Sequence, residues 1–277
     1  MKNTAEFVEL TKRGNKLAKR FARETSLCHY LSILEGNTRG KVYVNSASDP
    51  SFAAVYSYLY KGFQIMGSPI IGTDEYVALR MLFEKELIPK LLKNEHVGEV
   101  SYSCDTEALL ENMHIAFFDK EQYEQEYCLY THRPGSPMPA FEKTEYKTLR
   151  ITKEFIEHNA EFSLVLRDEI LRSYASIDAF LKQGLGYVAL DGERIIANLI
   201  SSGSYEKSIV LGADTDSEYR CRKIAASLLR SAQCYADEHG LSLVWECNKD
   251  NIASVGTAEK CGLERRFTYP VRWFELK

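Results

Sequence analysis

The hydrophobic positions change period along the chain, and each change marks an element. Ser208-Ile209-Val210-Leu211-Gly212-Ala213 is an apolar run of strand length. Asp214 to Ser217 is a polar turn. Beyond it Ile224, Leu228, Leu229, Ala232 and Tyr235 recur at spacings of three and four, which predicts a helix with one buried face. His239-Gly240 closes that helix at its C-cap. A strand therefore passes through a tight polar loop into a helix.

The rest of the second half follows the same grammar. Residues 146–151 alternate as a strand, and 153–158 and 166–182 read as helices. Residues 186–190 and 194–201 are strands joined by Asp191-Gly192, a hairpin turn signal. Residues 241–247 form a strand, and 251–261 a helix stopped by Gly262. Residues 264–276 form a final strand or hairpin interrupted at Pro270.

In the first half, residues 4–25 predict a helix with Phe7, Leu10, Leu17 and Phe21 on one side. Its basic face is either solvated or a polyanion site. A short helix at 27–34, a turn at 36–40 and a strand at 41–45 follow. Residues 52–60 and 63–66 read as a hairpin across Lys61-Gly62. Thr73 is placed to cap a helix running to about residue 92. A strand at 97–104, a helix at 106–113 and one or two strands within 115–130 complete this half. Tyr56, Tyr58 and Tyr60 alternate as either a groove lining or a half-buried sheet face.

Pro134, Pro137 and Pro139 fall in seven residues, which neither a helix interior nor a central strand accepts. This places a linker at 133–145 between domains at 1–132 and 146–277. Each half then reads strand, strand, strand, helix, strand, helix, strand, after leading helices. That order predicts an α/β tandem of mixed sheets.

Composition narrows the function. The 277 residues are 45% apolar, 27% charged and 12% aromatic, as in folded soluble chains with packed cores. A net charge of −4 does not suit a general nucleic-acid binder. No apolar run reaches the ~18 residues of a spanning helix, and residues 1–6 hold no apolar signal region. The seven cysteines are scattered without a Cys-x-x-Cys, which predicts reduced thiols, a cytoplasmic setting and no metal site. Neither a membrane nor a nucleic acid is an expected partner.

The chemistry concentrates at the loop before the 224 helix. Backbone N–H groups at a helix start lack intrahelical partners and carry the positive end of the dipole, which suits a phosphate. Arg220, Arg222 and Lys223 add three cations there, either for that phosphate or as an ordinary solvated face.

Arg220-x-x-Lys223-x-Ala225 resembles the acyl-CoA pyrophosphate loop of the GNAT (GCN5-related N-acetyltransferase) superfamily. Trp245 to Ser254 and Ala258 to Leu263 resemble its second block, a strand ending in Asn, an Asn-x-Ala-Ser helix start and a Glu-Lys-x-Gly helix end. The resemblance covers about residues 146–274. In length and layout the chain is most similar to the bacterial subgroup that includes the zwittermicin A resistance acetyltransferase. Lys223 departs from the usual Gly and would be accommodated by a backbone φ below zero. Leu263 replaces a Phe. Ala258 replaces a Tyr that protonates the leaving thiolate.

The resemblance implies a GNAT fold, an acetyl-CoA co-substrate, a small primary amine as acceptor, no metal, and a homodimer as one assembly. It implies that Ala213, Asp214 and Thr215 contact pantetheine and the oxyanion. Arg220, Cys221, Arg222, Lys223, Ile224 and Ala225 would hold the pyrophosphate. Asn251 would bond the pantetheine arm, with Ser254 nearby. Glu246 is the first candidate base and Asp214 the second. In the first half the corresponding loop, residues 66–73, lacks the phosphate pattern, so that copy would be degenerate and would shape the substrate cleft or a dimer contact. Two alternatives remain: a non-catalytic acyl-CoA-binding module and a generic nucleotide site.

Overall fold

The computed structural model describes residues 8–11, 14–67, 80–89, 93, 98–140 and 142–276. The chain divides into two compact units. Unit 1 comprises residues 1–125 and 270–277, and unit 2 comprises residues 126–269.

Unit 1 contains β1 (Val8–Glu9), α1 (Lys16–Lys19), α2 (Cys28–Glu35), β2 (Gly40–Val44), β3 (Phe52–Ser57), β4 (Gly62–Gly67), β5 (Glu99–Cys104) and α3 (Glu107–Ala116). Its strands lie in the order β1-β2-β3-β4-β5, followed by the end of β12 (Glu264–Glu275). Only β4 and β5 run parallel. Thr106 starts α3 by accepting a bond from the Leu109 N–H at 3.2 Å. An aromatic chain fills the core: Tyr56, Phe63, Phe83, Phe117 and Phe274 follow one another with ring centroids 4.8–5.4 Å apart.

The long helix expected at 4–25 does not form among the described residues. Val8 instead pairs with Val44, and only Lys16–Lys19 are α-helical. Gly14 interrupts the apolar spacing, and glycine costs about 1 kcal/mol in a helix interior. Residues 1–7, 12–13 and 68–79 lie outside the described set, and with them most of the 66–73 loop and the start of the helix expected from Thr73. Residues 80–89 are helical, with a π-helical stretch at Leu82–Leu87. Of the three alternating tyrosines, only Tyr56 is in a strand, and it is buried. The region 115–130 contributes one strand, β6 (Gln122–His132), because Ile115 still belongs to α3.

Unit 2 contains β7 (Lys147–Arg150), α4 (Lys153–His158), α5 (Phe162–Val165), α6 (Arg167–Ser173), α7 (Ile177–Gln183), β8 (Gly186–Asp191), β9 (Arg194–Tyr205), β10 (Ser208–Thr215), α8 (Ile224–His239), β11 (Ser242–Asn248) and α9 (Ile252–Lys260). The strand order is β7-β8-β9-β10-β11-β6, and again only one pair, β10 and β11, is parallel. The two units thus share one topology: four antiparallel strands, a fifth parallel to the fourth, and a sixth antiparallel to the fifth.

The unit 2 sheet is covered on both faces. Leu228, Leu229 and Ala232 of α8 pack on Leu199, Leu211 and Trp245. On the other face Leu166, Ile170, Tyr174 and Phe180 pack on Val188, Ile195 and Ile200. Truncating one such residue, for example Leu228→Ala, costs about 2–5 kcal/mol. The single helix expected at 166–182 is broken. Tyr174 turns extended and buries its ring, bonding the Ser201 hydroxyl at 2.8 Å, and Ser176 starts α7 afresh by capping the Ala179 N–H. Pro270 does not interrupt β12, since its fixed φ suits an extended chain.

The segment expected as a linker belongs to unit 2 and runs along α8. The Arg230 guanidinium donates to the Pro139 carbonyl at 2.7 Å, and the Thr144 N–H donates to the Ser227 hydroxyl at 2.9 Å. Gly262, at φ +78°, has no Cβ where Pro139 passes.

Candidate functional site

The parallel register of β10 and β11 is short. It runs from Ser208/Ser242 to Leu211/Trp245 and ends. Both strands continue beyond it with other partners. Gly212 to Thr215 stay paired with β9, while Glu246 to Asn248 stay paired with β6. The inner edges of the two strands therefore part and turn main-chain N–H and C=O groups toward a notch.

The cause of the parting lies one strand away. The β9–β10 register shifts between Val210 and Leu211, at the point where β11 is lost. A bulge bends its strand and increases local twist, which carries β10 away from β11. Gly212, Ala213 and Asp214 are exposed as a result. Asp214, expected in a turn, is a strand residue, and β10 runs two residues beyond the apolar run.

β10 leads directly into the loop. A 3-10 turn at Ser217–Tyr219 follows, then Arg220 to Lys223, then α8. No side chain caps α8, so its first N–H groups are left for a ligand or water. Ile224 is buried in the core and anchors the helix start.

Lys223 stands at φ +63°, in the left-handed region, and Cys221 is also at +63°. The expectation of a φ below zero at Lys223 is therefore wrong. The loop keeps a glycine-like conformation without glycine, at a cost on the order of 1–2 kcal/mol for each such residue.

The three cations are already engaged. Arg220 Nε donates to the Thr215 carbonyl at 3.2 Å, folding back on the strand end. Arg222 donates to the Tyr146 hydroxyl at 2.5 Å and lies over the Tyr219 ring. Lys223 pairs with Glu142 of the segment along α8, and this hydrogen bond holds the Glu142 carboxyl below the usual carboxylate range. The ends of all three pairs remain exposed to exchange with an incoming anion.

Asn251 is the N-cap of α9, where its side chain accepts from the Ser254 N–H at 3.1 Å. Ser254 in turn accepts from Trp245 Nε1 at 3.0 Å. These bonds fix the end of β11 to the start of α9. They leave the Asn251 amide N–H groups as donors. Ala258 is fully buried in the core under α8 and α9.

The two candidate bases share one face. Leu211, Trp245 and Cys247 belong to the core under α8 and α9, so Asp214 and Glu246 fall on the opposite face by strand alternation. Glu246 is half-buried and accepts from the Tyr269 hydroxyl at 3.0 Å, and Tyr269 stacks on Tyr127 with centroids 5.8 Å apart. Sequence reasoning missed this aromatic wall. It also missed Glu169 on α6, whose carboxyl is pushed up by burial and then by the charge of Asp214, against a lowering by Arg172. Nothing in the local sequence marks Glu169. Only the packing of α6 on the sheet brings it to Asp214.

Among the described residues, no group of three or more His, Cys, Asp or Glu side chains is arranged to hold a metal ion. No helix among them is long and apolar enough to cross a membrane.

Several solved structures share the fold of this chain over nearly their whole length. A GCN5-related N-acetyltransferase-like protein from Streptococcus suis superposes with a TM-score of 0.66 at 17% identity, covering 95% of this chain and 99% of that one. A GNAT-family acetyltransferase from Colwellia psychrerythraea gives 0.60 at 13% identity, covering 98% and 100%. A tandem GNAT protein from the clavulanic acid biosynthesis pathway gives 0.61 at 11% identity, covering 98% of each. No curated protein matches the sequence. The family model for GNAT acetyltransferases matches residues 19–272. With the mixed α/β sheet and the parted strands, that match establishes that the chain belongs to the GNAT acetyltransferase family.

Proposed function

We propose that the protein moves an acetyl group from acetyl-CoA to a primary amine of a small molecule, by direct attack through a tetrahedral intermediate. The observation that carries this reading is the parting of β10 and β11 directly ahead of an uncapped helix start flanked by three cations. A thioester arm fits the notch, and a pyrophosphate fits the helix start.

In this reading the main chain of Ala213, Asp214 and Thr215 bonds the pantetheine arm and stabilises the oxyanion. Arg220, Cys221, Arg222, Lys223, Ile224 and Ala225 hold the pyrophosphate, mainly through backbone N–H groups. The Asn251 amide and Ser254 border the arm. The acceptor amine must lose a proton before it attacks, and a carboxylate bordering the notch, with Glu246 and Asp214 among the candidates, takes it. The thiolate is a modest base, with a thiol reference near ~8.5, so it leaves with a proton from water. The domain that does this spans residues 146–277. The first half is a degenerate second copy, and the subgroup is that of the zwittermicin A resistance acetyltransferase.

Thermal unfolding with and without acetyl-CoA tests the reading. At about 100 times its dissociation constant the ligand adds roughly 2.7 kcal/mol, and Arg220→Glu should abolish most of that gain. No shift with millimolar acetyl-CoA or a longer acyl-CoA would overturn it. The alternative, a non-catalytic acyl-CoA-binding module, draws on Lys223 and Ala258. It predicts the same shift without thiol release on a panel of amines.

A further inference from the structure

Asn198 lies in the middle of β9, directly opposite Asp214 on β10 and Val188 on β8. Cross-strand partners share a face, with Cβ atoms about 4.5–5.5 Å apart. Val188 belongs to the core under α4 to α7, so Asn198 and Asp214 point to that side of the sheet. Asn198 is 7% exposed, and its amide oxygen is buried with no hydrogen-bond partner. A buried acceptor left without a donor costs roughly 1–3 kcal/mol, so an unfilled one next to a notch marks where a donor is to arrive.

Glu169 approaches the same place from α6. Its neighbours Leu166 and Ile170 are fully buried on that face, and its carboxyl feels the charge of Asp214. Glu246 lies on the same face of β11. Three carboxylates and one orphaned amide oxygen thus border the side of the notch opposite α8, with Arg172 as the cation that acts on Glu169.

We propose that Asn198, Asp214 and Glu169 form the subsite for the acceptor's ammonium group, and that Glu169 receives its proton. An ammonium group offers three N–H donors, and the subsite offers three acceptors. Burial, and then the charge of Asp214, raise the Glu169 carboxyl, which makes it a better proton acceptor than an exposed carboxylate. The inference rests on the acetyl-transfer reading for its chemistry. The ammonium gives one proton to the Glu169 carboxylate, which passes it to solvent. The freed lone pair forms the N–C bond to the thioester carbonyl, and the C–S bond breaks. The nitrogen loses its second proton to water, and the departing thiolate takes a proton from water. The overall change is ammonium plus acetyl-CoA to amide, CoA and one proton. The crowd of carboxylates also sets the class of acceptor: a cationic amine with no carboxylate beside its amino group.

The test uses the full chain with n-butylamine and 1,4-diaminobutane as probes and glycine as the anionic comparator. Amine binding is measured by calorimetry in the presence of CoA, and transfer by thiol release from acetyl-CoA. The two amines should be preferred over glycine. Glu169→Gln should lower kcat about 100-fold with the KM for acetyl-CoA unchanged, and Glu169→Asp should restore part of it. Asn198→Val should raise the amine KM about tenfold while leaving Tm unchanged or higher, since it removes an orphaned acceptor. Amine binding that both variants weaken, without any thiol release, would support the subsite and overturn the acetyl-transfer reading. Turnover that both variants leave untouched would overturn the subsite and leave that reading standing. Failure of both amines to bind or react would overturn the subsite.

Discussion

Lys223 offers the sharpest test of the loop geometry. Its backbone sits at φ +63° and ψ +14°, where a Cβ crowds the following carbonyl. The comparison to make is Lys223→Gly against Lys223→Ala. Both remove the ammonium and its exposed pair with Glu142, so that contribution cancels. What remains is the backbone. At φ above zero, alanine keeps a strain of about 1–2 kcal/mol that glycine avoids. Glycine loses more chain entropy on folding, about 0.4–1 kcal/mol. The glycine variant should therefore be more stable by roughly 0.5–1 kcal/mol, or about 1–2 °C in Tm for a chain of this size. Thermal unfolding followed by circular dichroism reads this directly. The sign decides the matter. At φ below zero the order reverses, because glycine then brings only its entropy cost. An alanine variant equal to or above the glycine variant would refute the left-handed assignment.

Three other outcomes follow from named contacts. Glu142→Gln releases Lys223 from its ion pair, so acetyl-CoA should bind severalfold more tightly, with a steeper salt dependence, by calorimetry. Asn251→Ala removes the α9 cap and should cost about 1 kcal/mol in denaturant unfolding. Asn251→Asp keeps the cap but loses the amide donor, so it should keep stability while weakening acetyl-CoA binding. Asp105 of unit 1 is held above the usual carboxylate range by burial, against lowering by the Gly67 N–H and Arg23. Its folded pKa exceeds its unfolded one, so stability rises as pH falls through the folded value. Asp105→Asn should be more stable than wild type at neutral pH, and the difference should shrink toward acid. A gap that widens toward acid would contradict this.

Much of unit 2 was legible in the sequence because its signals are local. The 224 helix, its Gly240 stop, the Asp191-Gly192 hairpin and the Asn251 cap each rest on residues within a few positions of one another. The misreadings have tertiary causes. Residues 166–182 have unbroken helical spacing, yet burial of Tyr174 against Ser201 breaks the helix. Asp214 reads as a turn residue, yet pairing with Asn198 extends β10 through it. Lys223 shows no sign of positive φ, because the conformation is imposed by the loop rather than by the residue. Glu169 and Asn198 lie 29 residues apart and meet Asp214 only through the sheet and the helix packed on it.

Among the described residues, the same topology also shows why the strands part in unit 2 and not in unit 1. In unit 2 the β9–β10 register shifts at Val210/Leu211, and β11 is lost at the same level. In unit 1 the β3–β4 register is continuous from Phe52/Gly67 to Ser57/Gly62, while the parallel β4–β5 register, four pairs long as in unit 2, ends at Ile65/Cys104. Past that point the Asp105 N–H donates to the Ile65 carbonyl at 3.2 Å, and the Gly67 N–H donates to the Asp105 carboxylate at 3.3 Å. These bonds hold together the strand ends that separate in unit 2. The inner-edge groups that could bind a thioester arm are spent on each other. A bulge of one residue thus separates a strand pair that can admit a ligand from one that is sealed. Opening unit 1 would require both a register shift in β3 and loss of the Asp105 bonds, so Asp105→Asn alone, which keeps an acceptor for Gly67, should leave its strands paired.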